Sequence, residues 1–255
     1  MPMEAMRVCA IASGGGSTTG SIYKAVKSRQ LRGVKLALII STSPTAGVLE
    51  LMRKAKFPEE DLLVLPKGWS KDSPMMAEFI LDACTERDID FVGLYGALSL
   101  IPKEVVEAFK GKMVNQHPGP IDPAAPPDYD FGGQKMHGKR VHAARIEFVR
   151  RTGRDPVTWL IAHEVAAELD RGAVVHDRCI EIKPTILATK KLKDAAAAFN
   201  EIALPTEHEV QIETLDRYRR GNVRPILRPA HWLVKPGEKE TLDECKQLAI
   251  EAYPD

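Results

Sequence analysis

Through the first half of the chain, short runs of apolar and β-branched residues alternate with stretches whose apolar positions recur every three or four residues. Arg7–Ala12, Val34–Ile40, Leu62–Leu65, Phe91–Tyr95 and Met113–Gln116 read as strands. Between them, Ile22, Ala25 and Val26 share one helical face, as do Val48, Leu51, Met52 and Ala55. Met76, Phe79, Ile80 and Ala83 repeat that spacing, and so do Val105, Val106 and Phe109. Strand–helix alternation with crossovers of this length predicts an α/β protein with a doubly wound, mostly parallel sheet and a Rossmann-like N-terminal half.

The second half reads differently. Gly119–Asp130 holds four prolines and is a loop, since proline removes a backbone donor and fixes φ. Val157–Val165 and Ala173–Ile182 read as strands joined by a turn around Leu169-Asp170-Arg171-Gly172, so antiparallel strands are expected to be added here. Lys190–Ala203 predicts a helix broken at Pro205, and a second helix is expected over Thr206–Arg219. The tail from Gly221 is expected to wrap the surface. With no linker or repeat in view, residues 1–220 read as a single domain and 221–255 as an extension packed on it.

Composition narrows the classes. The chain has 255 residues, 44% hydrophobic and 28% charged, which is ordinary for a globular protein. Lys and Arg number 36 against 35 Asp and Glu, so a net charge of +1 supplies no field for nucleic acid or an anionic membrane. No apolar run approaches the ~20 residues of a membrane span, and Met1–Arg7 lacks the apolar stretch of a secretory signal. The four cysteines (Cys9, Cys84, Cys179, Cys245) form no CxxC pair, which argues against zinc and a disulfide framework. A cytoplasmic protein with no metal site is expected; a homodimer is left open.

Ser13-Gly14-Gly15-Gly16-Ser17-Thr18-Thr19-Gly20 follows the first strand and opens the first helix. Glycines let backbone N–H groups approach a ligand, and a helix N-terminus favours negative charge, so Gly14, Gly15, Gly16, Ser17 and Thr18 suit a phosphate monoester. The loop is not a P-loop, having no Lys after the last Gly, and Thr19 breaks the dinucleotide fingerprint. A tight turn with Ser17 or Thr18 as N-cap accounts for it equally well. Asn115-Gln116-His117-Pro118 ends the fifth strand, at the strand end where open parallel sheets bind ligands. Asn115 and His117, two residues apart, share one face of an extended segment. An amide donor and an imidazole so placed could hold an oxygen that becomes negative in acyl transfer, given a carboxylate to support the His.

Taken together, the SGGGS loop, Leu94-Tyr95-Gly96, Asn115–Pro118, the segment from His163 through Leu169-Asp170-Arg171-Gly172, and the pair Glu207-His208 resemble the folate-dependent formyltransferase family, over roughly Arg7 to Tyr218. The loop's form is closest to the glycinamide ribonucleotide branch. The resemblance implies transfer of a formyl group from 10-formyltetrahydrofolate, as co-substrate, to the amine of a small phosphorylated acceptor, glycinamide ribonucleotide, in purine biosynthesis. It further implies that Asn115 and protonated His117 hold the oxyanion and that Asp170 sustains the His117 charge and helps relay a proton. By the same resemblance the Gly14–Thr18 loop takes the phosphate and Glu207 the glycinamide portion. The folate would lie against Gly96, Ala97, Leu98, Leu100, Ile101, His163 and Leu169, and no metal takes part. Alternatives left open are another amine acceptor (an amino-sugar nucleotide or aminoacyl-tRNA), hydrolysis of the formylfolate, and a non-catalytic ligand-binding relative.

The chain departs from the family after Pro118, where Gly119-Pro120-Ile121-Asp122-Pro123 replaces the usual Ser-Leu-Leu-Pro. It departs again at Ser99, in a region where the family often has a basic residue, and at Arg171, which stands where the family has glycine. Arg171 reads as an exposed turn residue without a partner. The basic stretch Lys135–Arg154 reads as a solvated face, although Val141, Ala144, Ile146 and Phe148 could supply a buried side. Lys67 and Lys71 read as surface charges, Trp69, Trp159 and Trp232 as core or lid packing, and Cys9 as a small buried hydrophobe.

Overall fold

The computed structural model describes residues 4–97 and 101–254. The chain forms two compact units, one of residues up to Gln116 with Gln211–Val223, the other of His117–Val210 with the residues from Arg224 on.

The first unit alternates as the periodicity predicts: β1 (Met6–Ala12), α1 (Ser17–Lys27), β2 (Val34–Ser41), α2 (Gly47–Lys54), β3 (Leu62–Val64), α3 (Pro74–Thr85), β4 (Phe91–Leu94), α4 (Lys103–Ala108) and β5 (Met113–His117). The strands are all parallel, in the order β3-β2-β1-β4-β5. β1 is the central strand, and Val8 to Ala12 are fully buried, as expected for a strand covered on both faces. The chain runs outward from β1 in both directions, so the order reverses between β1 and β4, where open α/β sheets place their ligand crevice. There the Ser13 N–H donates to the Gly96 carbonyl at 3.1 Å, and the Ser13 and Thr42 hydroxyls lie 2.5 Å apart. Tyr218 packs its ring 4.7 Å from that of Phe91.

In the second unit, β6 (Val157–Glu164) and β7 (Val174–Glu181) pair antiparallel, from Val157 opposite Glu181 to His163 opposite Val174. The antiparallel addition is borne out. Helix α5 (Lys139–Thr152) packs against α8 (Lys239–Ala252), and a short helix α6 (Pro184–Leu187) follows β7. Phe131 and Phe148 meet edge-on at 5.5 Å, with the Arg145 guanidinium over both rings. Trp159 and Trp232 also pack edge-on, at 4.8 Å.

Three expectations are corrected, and one helix is added. α7 runs unbroken from Leu192 to Arg219 with Pro205 inside it. Proline there removes one donor and costs about 3 kcal/mol, but Pro205 and Glu201, whose carbonyl loses that donor, sit on the exposed face. The basic stretch is no solvated face: in α5, Arg140, His142 and Arg145 are buried beside Val141, Ala144, Ile146 and Phe148. Arg145 is accommodated because its guanidinium donates to the carbonyls of Val157 and Asp155. Arg171 is half-buried and donates to the carbonyls of Asp122, Pro123 and Ala125. The tail from Gly221 is irregular and largely exposed at first and ends in a helix the sequence reading did not mark, α8, whose buried positions 242, 245, 246 and 249 keep helical spacing.

Candidate active site

In the first unit the glycine loop leaves β1 and enters α1 through Gly16, the N-cap, at φ 76° and ψ 20°. A side chain there would meet Val48 within 2.5 Å, so only glycine fits. The turn does not use Ser17 or Thr18 as N-cap, and no side chain caps α1. Gly14, Gly15 and Ser17 are exposed beside this uncapped helix start, whose first N–H groups have no partner within the helix. Thr18 is buried at the start of α1. Gly96 is exposed at φ 73°, and Ala97 and Ile101 are half-buried. Leu98, Ser99 and Leu100 lie outside the described residues. Asn115 sits on β5 opposite Leu94 of β4, half-buried.

In the second unit the structure brings three distant residues together. His117 ends β5, His163 lies near the end of β6, and Asp170 occupies the connection to β7 at φ 54°, a left-handed conformation that Asp tolerates better than most residues. They are 3, 2 and 6% exposed. Asp170 Oδ2 lies 3.8 Å from His117 Nδ1, an ion-pair distance rather than a hydrogen bond, and accepts from the Gly133 N–H at 2.9 Å. Its other oxygen, Oδ1, lies 3.4 Å from His163 Nε2. Burial alone would raise the Asp170 pKa, but the facing His117 and His163 rings and the Gly133 N–H hold it well below the usual carboxylate range.

His117 feels the opposite balance. Burial pushes the imidazole below its ordinary pKa, Asp170 pulls it back up, and His163 lowers it again. At 3.8 Å, one charge pair at an effective dielectric near 20 is worth about 4 kcal/mol. Burial is still the larger influence, so the net direction is down. His117 Nε2 lies 3.1 Å from the Phe131 carbonyl oxygen, which can only accept. Nε2 therefore carries the hydrogen and Nδ1 is the nitrogen facing Asp170.

Glu207, on α7, is 6% exposed with Oε1 3.4 Å from Nε2 of His142, itself 1% exposed and edge-on to Phe199 at 5.3 Å. Leu169 is solvent-exposed in the connection before Asp170. Among the described residues, no cluster of His, Cys, Asp or Glu could hold a metal ion, and no helix is long and apolar enough to cross a membrane.

Sequence reasoning missed His142, hidden inside a charge run, though it shares that run with the apolar positions of a helical face. It also missed the Phe131 carbonyl and the Gly133 N–H. Backbone groups of a proline-rich loop leave no mark in side-chain pattern.

A parallel sheet with a glycine loop after its central strand, and a buried His–Asp pair fed by an Asn-x-His-Pro strand end, match a defined class. The chain belongs to the formyl transferase family, whose model matches residues 6–207. It is similar to a protein named phosphoribosylglycinamide formyltransferase, chloroplastic, from Vigna unguiculata, 28% identical over 210 residues, covering 82% of this chain and 60% of that one. The corresponding Arabidopsis thaliana protein is 27% identical over 201 residues, covering 77% and 63%. This chain thus spans about three fifths of the length of these relatives. The crystal structure of phosphoribosylglycinamide formyltransferase from Bacillus halodurans is 26% identical, with a TM-score of 0.62 over 83% of this chain and 94% of that one.

Proposed function

We propose that the protein transfers a formyl group from 10-formyltetrahydrofolate to the amine of glycinamide ribonucleotide. The observation that carries this reading is the buried Asp170 carboxylate facing His117 Nδ1 across 3.8 Å, although 53 residues separate the two in sequence (170 − 117 = 53). The named relatives support the choice of acceptor.

In this reading the amine nitrogen attacks the formyl carbon, a C–N bond forms, and the carbonyl electron pair moves onto oxygen. The Asn115 amide donates to that oxygen. His117 Nδ1 takes the proton lost by the amine, and the resulting imidazolium, sustained by Asp170, adds positive charge beside the oxyanion. When the bond between the formyl carbon and N10 breaks, the same proton passes to N10, leaving a formamide and tetrahydrofolate. An imidazole held below its ordinary pKa starts neutral at pH 7, as a proton acceptor must. His163 acts through Asp170, keeping its carboxylate aimed. Residues Gly14 to Thr18 hold the acceptor's phosphate on the uncapped N-terminus of α1, and Glu207 accepts hydrogen bonds from the glycinamide portion. By the family resemblance the folate would lie against Gly96, Ala97, Ile101, His163 and Leu169, with Leu98 and Leu100, outside the described residues, assigned to it only by that resemblance.

Incubating the purified protein with 10-formyltetrahydrofolate and glycinamide ribonucleotide, and following the acceptor by mass, tests this. Gain of one formyl group per acceptor is expected; an unchanged acceptor at high enzyme concentration overturns the assignment.

A further inference from the structure

Helix α8 places a lysine on its buried face: Lys246 stands among Leu242, Cys245 and Ala249. Lysine is almost never buried unless its charge is matched. Here its ammonium group donates to the Gly132 carbonyl at 3.0 Å. Burial pushes the Lys246 pKa down, while Asp130, Asp128 and Asp243 raise it and Lys239 lowers it.

The carbonyl that Lys246 holds belongs to the middle of three residues that all bear on the catalytic pair. The Phe131 carbonyl accepts from His117 Nε2, the Gly132 carbonyl accepts from Lys246, and the Gly133 N–H donates to Asp170 Oδ2. Gly132 lies so close to the aspartate that a side chain there would come within 2.8 Å of the Asp170 Cβ. Asp130 closes the turn, accepting from the Gly132 N–H and the Asp122 N–H, each at 2.9 Å. Arg171 holds the outer part of the same loop through the Asp122 and Pro123 carbonyls. The proline-rich loop and the C-terminal helix, both unassigned from sequence, thus meet behind His117 and Asp170.

We propose that Lys246 is a positioning residue. By fixing the Gly132 carbonyl it holds Phe131-Gly132-Gly133 as a backbone clasp, which keeps Nε2 of His117 protonated, leaves Nδ1 as the proton-active atom, and aims the Asp170 carboxylate. The kinetic consequence rests on the formyl-transfer reading; the tautomer does not. The groups facing His117 are Asp170, His163, Asp130 and the Phe131 carbonyl, so loosening the clasp changes how the ring titrates.

Imidazole nitrogen resonances of the full chain labelled with ¹⁵N-histidine test this, with His117→Asn used only to assign the signal. In the wild type, His117 is expected as the Nε2–H tautomer; an Nδ1–H tautomer overturns the clasp whatever the protein catalyses. In Lys246→Met, the His117 signal is expected to show tautomer averaging and a titration midpoint moved by about half a unit or more. Turnover should fall about 10- to 100-fold with both KM values little changed. Lys246→Arg, which keeps a charged donor, should restore the wild-type tautomer and most of the turnover. If Lys246→Met fails to fold, Lys246→Leu, which also lacks a donor for the Gly132 carbonyl, carries the same comparison. Wild-type tautomer and pH profile in the donor-less variant that folds would reduce Lys246 to a structural role and overturn the proposal. A protein without formyl-transfer activity but with the expected tautomers would sink the function and leave the clasp standing.

Discussion

Nε2 of His163 lies 3.4 Å from Oδ1 of Asp170, on the carboxylate oxygen opposite the one that faces His117. One aspartate therefore serves two imidazoles, and removing either ring changes what the other sees. Asp170→Asn keeps the shape but removes the charge that opposes the burial of His117. Turnover is expected to fall by at least ~10², with folding retained. His163→Ala should fall less, about 10-fold, because Asp170 keeps its Gly133 hydrogen bond. Steady-state kinetics on the purified variants decides it, and equal losses in the two variants would contradict this division of labour.

Acid stability follows from the same pair. The Asp170 carboxyl is held below its ordinary pKa in the folded protein, so its contribution is complete above about 4, the value in the unfolded chain. It is lost as pH falls from there through the folded value. His117 is also lowered, so the unfolded chain takes up that proton first as pH falls through about 6.5, and stability declines from that point down to the folded value. His208 is lowered by burial as well, so urea unfolding between pH 8 and 3 should show two successive losses, the upper one reduced but not abolished in His117→Phe. An unchanged upper limb in that variant would contradict the titration assigned to His117.

Phosphate binding at the glycine loop calls for a substitution that leaves the fold intact. Gly16 is unsuitable, since a side chain there collides with Val48. A side chain at Gly15 meets nothing within 4 Å, so Gly15→Val is expected to fold while covering the N–H groups of α1. A small phosphate monoester should raise the melting temperature of the wild type but not of Gly15→Val. Equal protection would leave the loop as a turn.

His142 and Glu207 form a second buried pair, at 3.4 Å. Glu207→Gln should raise the KM for the amine acceptor about 10-fold while leaving that for the folate near the wild-type value. His142→Phe should reproduce part of that effect, because it leaves the Glu207 carboxylate without the facing imidazole. A rise confined to the folate KM would move Glu207 to the other substrate.

Local pattern was enough for the parallel strands, since β1, β2 and β4 are continuous apolar runs bounded by turns. It was enough to place Asn115 and His117 at the end of a strand as well, because a strand end and a two-residue spacing are local properties. The meeting of His117 with Asp170 is not, and resemblance rather than spacing pointed to it. Arg140, His142 and Arg145 misled because charge suggests exposure, whereas backbone carbonyls accept the arginine donors inside the fold. Pro205 misled because the position losing its donor faces solvent. Lys246 carries no local mark in the sequence, and its partner at Gly132 becomes visible only in the fold.

The most direct measurement is the rate of tetrahydrofolate release from 10-formyltetrahydrofolate, followed by absorbance with and without glycinamide ribonucleotide, for the wild type and Asp170→Asn. The account predicts release that requires the amine and drops by ~10² or more in the variant. Release at the same rate without any amine, or undiminished in Asp170→Asn, would contradict it.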